Sequence, residues 1–234
     1  MGAIPESVVP VIAVDGPSAS GKGTVAALVA AALGFHYLDS GALYRLVTLA
    51  GLDAGLDLAD EPALSALAGQ MDVAFTGETV HLEGRDVSER MRTEAVSAAT
   101  SKVAALRSVR SALLARQRAF RKPPGLVADG RDMGSIVFPD APLKVFLTAD
   151  LATRAGRRHK QLKEKGMYAK MADVVEDLRK RDERDATRPV APLRHYPDAI
   201  FLDTGALTID QAVDQVLAEW RERQSRQGRE VDPT

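Results

Sequence analysis

Residues 16–24 read GPSASGKGT, and this stretch constrains the chain more than any other. Its small residues let successive backbone N–H groups converge on one point, and Lys22 stands inside it. The preceding residues 8–14 (VVPVIAV) are nearly continuously apolar, as a strand buried on both faces of a parallel sheet requires. Residues 24–33 are rich in Ala, Leu and Val with no breaker before Gly34, which predicts a helix ending on a glycine cap. Strand, glycine-rich turn and helix form the first half of a βαβ unit. In that setting the loop suits phosphate oxygens, held by its amides and by the positive end of the helix dipole. Lys22 adds a mobile full charge for a transferred phosphoryl group. Gly16, Pro17, Ser18, Ala19, Ser20, Gly21, Lys22, Gly23 and Thr24 are therefore expected to hold a nucleoside triphosphate. The position after Lys22, usually Ser or Thr for magnesium, is Gly23, and the hydroxyl comes one residue later at Thr24. Magnesium is accordingly expected to be held through the nucleotide and water, with Thr24 as the nearest side-chain ligand.

The rest of the chain repeats the template. Residues 35–38 read as a second strand, and Asp39-Ser40-Gly41 offers a turn and an N-cap for a helix over about 42–54. Apolar runs at 125–128, 143–148 and 199–202 each end at an aspartate, and helices are expected over 151–164, 171–187 and 208–224. Alternation of this kind predicts an α/β fold with a doubly wound, five-stranded parallel sheet. Residues 60–105 break the rhythm. There a hairpin about Gly77-Glu78, flanked by helical stretches near 61–69 and 88–104, reads as a small inserted α+β lobe. The core would then comprise 8–59, 106–153 and 171–222, with a basic helical lid over 154–170. The polar tail from Arg223 onward is expected to fray.

Composition narrows the function classes. Net charge is −1, from 31 basic and 32 acidic residues, which argues against a general nucleic-acid binder. Cysteine is absent, so thiolate catalysis, disulfides and cysteine metal sites are excluded. His36, His81, His159 and His195 lack metal-ligand spacing. No apolar run approaches the length of a bilayer span, and the first ten residues do not read as a signal peptide or a lipidation motif. A cytoplasmic monomer is the expectation. A guanine-recognition motif of the NKxD type does not occur.

Four separated motifs, GPSASGKGT (16–24), LDSGALYR (38–45), VADGRDMGSIVFPDA (127–141) and RDERDATRPVAPL (181–193), together resemble the bacterial cytidylate kinases, in order from about residue 9 to 220. The resemblance implies transfer of the γ-phosphoryl group of ATP to CMP or dCMP, with magnesium; a related P-loop small-molecule kinase acting on UMP or another monophosphate is the alternative. It implies that the 60–105 lobe belongs to the acceptor. Arg45, Arg110, Arg131 and Arg188 match positions that would grip the acceptor phosphate and the group in flight, a task suited to the planar guanidinium fork. Ser40 and Tyr44 would lie near the acceptor nucleotide, Ser101 would read the cytosine edge, and Asp185, with Arg181, would contact the acceptor's sugar side. Asp129 and Asp132 bracket Arg131 at the carboxyl end of an expected strand and are expected to position rather than act as bases. Within RAGRRHKQLKEKG (154–166), Arg157 and Arg158 would be phosphate clamps of a lid closing over ATP. Lys22, Arg131, Asp132, Arg157 and Arg188 are thus the expected catalytic set.

Overall fold

The computed structural model describes residues 9–76 and 79–230, with side chains through Arg226. In chain order the elements are β1 (Val11–Asp15), α1 (Lys22–Leu33), β2 (His36–Asp39), α2 (Ser40–Asp53), α3 (Glu61–Gln70), β3 (Val73–Thr76), β4 (Thr79–Leu82), β5 (Arg85–Asp86), α4 (Glu94–Val103), α5 (Arg107–Arg118), β6 (Leu126–Gly130), β7 (Leu143–Thr148), α6 (Leu151–Glu164), α7 (Met171–Thr187), β8 (Ile200–Asp203) and α8 (Ile209–Glu230). Five strands form one parallel sheet in the order β2-β6-β1-β7-β8. Parallel neighbours need crossovers, and the helices that supply them cover both faces.

The strand period of two sorts the core. Val11 and Ala13 face a layer built from α2 through α5, while Ile12 and Val14 face α1 and α8. All four are fully buried, each larger side chain contributing about 1.5–3 kcal/mol over an exposed one. On the second face Trp220 closes edge-on over Phe35, with ring centroids 5.9 Å apart. β1 begins at Val11 rather than at residue 8, which lies outside the described residues. Pro10 has no N–H for the ladder, but its carbonyl accepts from Leu126 N–H at 3.0 Å.

Several expectations shift. The cap of α2 is Asp39, whose Oδ1 accepts from Ala42 N–H at 3.1 Å, so Ser40 is already inside the helix. The single helix expected over 88–104 is a 3₁₀ turn at Arg90–Arg92 followed by α4, because Thr93 caps α4 and breaks the run. The lobe's hairpin gains a third strand, β5, antiparallel to β4; the Gly77-Glu78 turn itself lies outside the described residues. α5 was not anticipated. Its Val109 and Leu113, one turn apart, are fully buried in the core layer that also holds Leu64 and Ala68 of α3. Leu64, Val80, Met91 and Val96 of the lobe share a single core with Leu43, Leu46 and Val47 of α2. α8 continues to Glu230 instead of fraying from Arg223. Its last turns are mostly Arg, Glu and Gln, good helix formers that outweigh Ser225 and Gly228, and are braced by Arg226–Glu222 and by Arg223 donating to the Pro142 carbonyl at 2.8 Å. α6 and α7 pair through Ala155, Leu162, Val174 and Leu178, so the expected lid is continuous with a helix rooted at Leu151.

Candidate active site

The loop after β1 lies where open α/β sheets place ligands, at the carboxyl ends of strands. Gly16 passes so close to β7 that a Cβ would sit 1.9 Å from the Leu147 carbonyl oxygen, so no other residue fits there. The chain then turns through left-handed backbone at Ala19 and Gly21 before α1 begins at Lys22. Two of its carbonyls, those of Ser18 and Ser20, are taken up by side chains that do not line the cavity. Arg154 donates to Ser18 O (3.3 Å), Arg157 to Ser20 O (3.0 Å), and Thr204 Oγ1 also to Ser20 O (3.0 Å). Arg154 is itself held by a bidentate pair with Asp182 and by the Ala149 carbonyl. With these two carbonyls occupied, and Lys22 at the start of α1, the loop offers amides and a positive charge to an anion.

A cavity of about 300 Å³ opens beside this loop. Ser18, Ala19, Gly21, Lys22, Gly23 and Thr24 line one wall, and Ser40, Tyr44, Arg45, Ser101, Arg110, Asp129, Arg131, Asp132, Arg181, Asp185 and Arg188 line the rest. The structure thus gathers residues from five separate stretches of chain into one space. Gly16, Pro17 and Ser20 support the loop from outside the cavity; the Pro17 carbonyl accepts from Lys22 Nζ at 3.3 Å. Arg157 grips the loop's outer surface, donating also to Thr204 Oγ1 and O at 3.0 and 2.6 Å, and does not line the cavity. Arg158 pairs with Glu94 of α4, so Gln161 is the α6 side chain that reaches the cavity. Asp39, Gly41, Thr100 and Ala104 also line it and were not expected. Asp39 holds Arg45 at 2.5 Å.

Arg131 stands at the centre. It donates from Nε to Asp185 at 2.8 Å and from Nη2 to Ser18 Oγ at 2.7 Å, joining the phosphate loop to α7. Burial alone would raise the Asp185 carboxyl, yet Arg131 carries it below its usual value. Burial, and then the Arg131 charge, lower the Lys22 ammonium to about 8. Asp129 lies 3.8 Å from Lys22, and burial pushes its carboxyl up. At the far end, Asp132 receives Arg110 on Oδ2 and lies 3.7 Å from Arg188 on Oδ1. Arg110 also sits 5.7 Å over the Tyr44 ring and donates to the Ala104 carbonyl, one turn beyond Ser101. Among the described residues, Ser101 Oγ, Arg45 Nε, Arg181 Nε, Arg188 Nη2 and Asp129 Oδ1 are buried with no hydrogen-bond partner. Orphan groups of this kind in a cavity wall are prepared for a ligand. No group of three or more His, Asp or Glu side chains suited to a metal occurs among the described residues, and no helix among them is long and apolar enough to cross a membrane.

The fold compares with a gluconokinase from Sinorhizobium meliloti 1021, with TM-score 0.50 and 17% identity over 96% of this chain and 99% of that one. Closer in sequence is the cytidylate kinase of Chromobacterium violaceum, 60% identical over 217 residues, covering 93% of this chain and 98% of its own. The cytidylate kinase of Burkholderia pseudomallei (strain 1106a) is 59% identical over 213 residues, or 91% of this chain and 93% of its own. The sequence profile of the family described as cytidylate kinase matches residues 12–222, which include all four motifs and every cavity-lining residue named above, and the chain belongs to that family.

Proposed function

We propose that this protein transfers the γ-phosphoryl group of ATP to CMP or dCMP, giving CDP or dCDP. The observation that carries the reading is the single cavity with the phosphate loop on one wall and partnerless guanidinium N–H groups of Arg45, Arg181 and Arg188 on the others. Two anionic nucleotides brought together need cations that are already fixed in place. Lys22 and the loop amides hold the donor phosphates. Arg131, anchored by Asp185 and Ser18, lies between donor and acceptor, where it stabilises the group in flight. The acceptor phosphate is already an anion, so no general base is required, and Asp129 and Asp132 position cations.

Arg110 belongs with the base, because it pairs with Asp132, lies over the Tyr44 ring and donates to the Ala104 carbonyl one turn beyond Ser101. Arg188, 3.7 Å from Asp132, keeps a partnerless Nη2 for the acceptor. The Ser101 hydroxyl can both donate and accept, which suits an edge carrying an amino group beside a ring nitrogen. Asp185 and Arg181 take the sugar side. Magnesium, arriving with ATP, would neutralise charge on the transferred group. Asp129 Oδ1 and Thr24 fit an ion held mainly by phosphates and water, since a single partnerless carboxylate oxygen is available beside Lys22. Arg154 and Arg157 keep the loop's amides turned inward.

A coupled assay of ADP release with CMP, dCMP, UMP and AMP tests the proposal. CMP and dCMP are expected to be turned over fastest. Faster turnover of UMP would favour the pyrimidine alternative, and fast turnover with AMP alone would end the reading.

A further inference from the structure

Asp15, the last residue of β1, makes no contact with the cavity, yet it is among the most constrained side chains near it. It is 4% exposed, and its two carboxylate oxygens each accept a backbone amide, Oδ1 from Met133 and Oδ2 from Gly134, both at 2.8 Å. Those amides open the π-helical turn Met133–Val137, directly after Arg131 and Asp132. In the sheet Asp15 pairs in register with Gly130. The two-residue segment Arg131-Asp132 is therefore pinned at both ends, by the β1–β6 ladder at Gly130 and by the Asp15 carboxylate at 133 and 134. On its other side Asp15 is bonded to Gly16, which has no freedom against Leu147.

We propose that Asp15 is a positioning residue that locks the acceptor-side segment Arg131-Asp132 to the root of the phosphate loop. Its peptide leads into the donor loop and its carboxylate sets the turn that aims Asp132 at Arg110 and Arg188. Together with the β1–β6 ladder, this side chain then fixes the spacing of the two nucleotide cradles. A bidentate carboxylate is what the position requires. Of the side chains of similar size, asparagine would accept one amide and oppose its own N–H₂ to the other, and leucine would accept neither. An uncompensated carboxylate would not normally be kept in such a place. Burial, together with the nearby Asp132 and Asp129 charges, raises the Asp15 carboxyl to about 7 against the two amide bonds that favour its anion. The guanidinium facing it is Arg131, whose own shift includes the attraction of Asp15.

The inference rests on the two-nucleotide reading of the cavity, and its test is run with whichever monophosphate the wild-type protein phosphorylates. That choice keeps a wrong substrate assignment separate from a wrong role for Asp15. In Asp15→Asn, one amide bond is lost without a change of volume. The apparent KM for the monophosphate is expected to rise about 10-fold, while the affinity for ATP alone, measured by calorimetry, stays within about twofold of wild type. Equal loss of both affinities would make Asp15 a general structural residue and overturn the proposal, as would unchanged values for both. Should the variant fail to fold, the wild-type protein carries the test. The Asp15 carboxyl carbon is followed by NMR across its titration, with and without saturating monophosphate. Binding that uses the anionic, bidentate form must lower the midpoint by reciprocal linkage. A midpoint that the monophosphate leaves in place would refute the role.

Discussion

Asp132→Ala isolates the electrostatic logic of the acceptor end. Asp132 is 3% exposed and is approached by Arg110 and Arg188, themselves 8% and 7% exposed. Burial, and then the Arg110 charge, lower Arg188 from its usual value, so the two guanidiniums oppose each other across the carboxylate. Removing one partner of a buried charge network costs about 3–5 kcal/mol, because an uncompensated charge is left behind. The cavity beside Asp132 admits water, which places the expectation near the lower bound, at about 3 kcal/mol. For a chain of this length each kcal/mol moves the melting temperature by about 2–4 °C, so a fall of about 6–12 °C is expected by calorimetry. Two further measurements tie the loss to like charge rather than to a cavity. Sulfate should restore part of the melting temperature in the variant and little in the wild type. Replacing Arg110 by Met in the Asp132→Ala background should stabilise it, since one of the two opposed cations is gone. A shift below about 1 °C, or a double variant less stable than the single one, would refute the argument.

Arg157→Met removes three donations behind the phosphate loop, to Ser20 O and to both oxygens of Thr204. With bonds from a charged group worth about 1.5–3 kcal/mol, ATP affinity should fall about 10-fold or more while monophosphate affinity is kept; calorimetry with each nucleotide decides, and a monophosphate-only defect would place Arg157 elsewhere. Lys22 supplies the pH test. Its ammonium is lowered to about 8, so the charge that holds phosphate is present below that value and is lost as pH rises through it. ATP affinity of the free protein should therefore weaken between about pH 7 and pH 9, and Lys22→Met should bind weakly with a flat profile across this range.

Much of the scaffold is legible in the sequence where local signals agree. β7, α6 and α7 have the expected bounds of 143–148, 151–164 and 171–187. α6 is an instance: Asp150 caps it by accepting from Thr153 N–H at 2.9 Å, two residues after a strand whose side chains alternate between buried and half-buried. α5 escaped notice because its arginines dilute an apolar stripe only two buried residues long, Val109 and Leu113. β5, with two residues, is too short for any alternation to register. The site divides in the same way. Most of the charged side chains that face the cavity were found, although Asp39 and Gln161 were not, whereas most of those that act through backbone partners were missed. Arg154 holds Ser18 O, Thr204 holds Ser20 O, and Asp15 holds the amides of Met133 and Gly134. A carbonyl or an amide is the same in every residue, so nothing in a sequence announces which arginine or aspartate it will meet.

The glycine after Lys22 shows how the same geometry explains a departure. A Cβ on Gly23 would stand 3.1 Å from Asp129 Oδ2 and 3.6 Å from the Tyr37 hydroxyl, which itself donates to Asp129 at 3.4 Å. The volume that a hydroxymethyl group would occupy is filled from the sheet, by a carboxylate on β6 and a phenol on β2. A polar oxygen therefore still stands beside Lys22, but its place is set by strand register, with Tyr37 paired to Val127 and Asp39 to Asp129, and not by the first turn of α1. Asp129 also precedes Gly130 and Arg131, so the carboxylate paired with the donor lysine and a guanidinium of the acceptor side ride on one short segment. Asp15 pins the far end of that segment. The missing hydroxyl is thus not a loss of function from the phosphate loop: it moves one polar group from the donor helix to the element that carries the acceptor's arginine, and ties the two halves of the site to a single strand end.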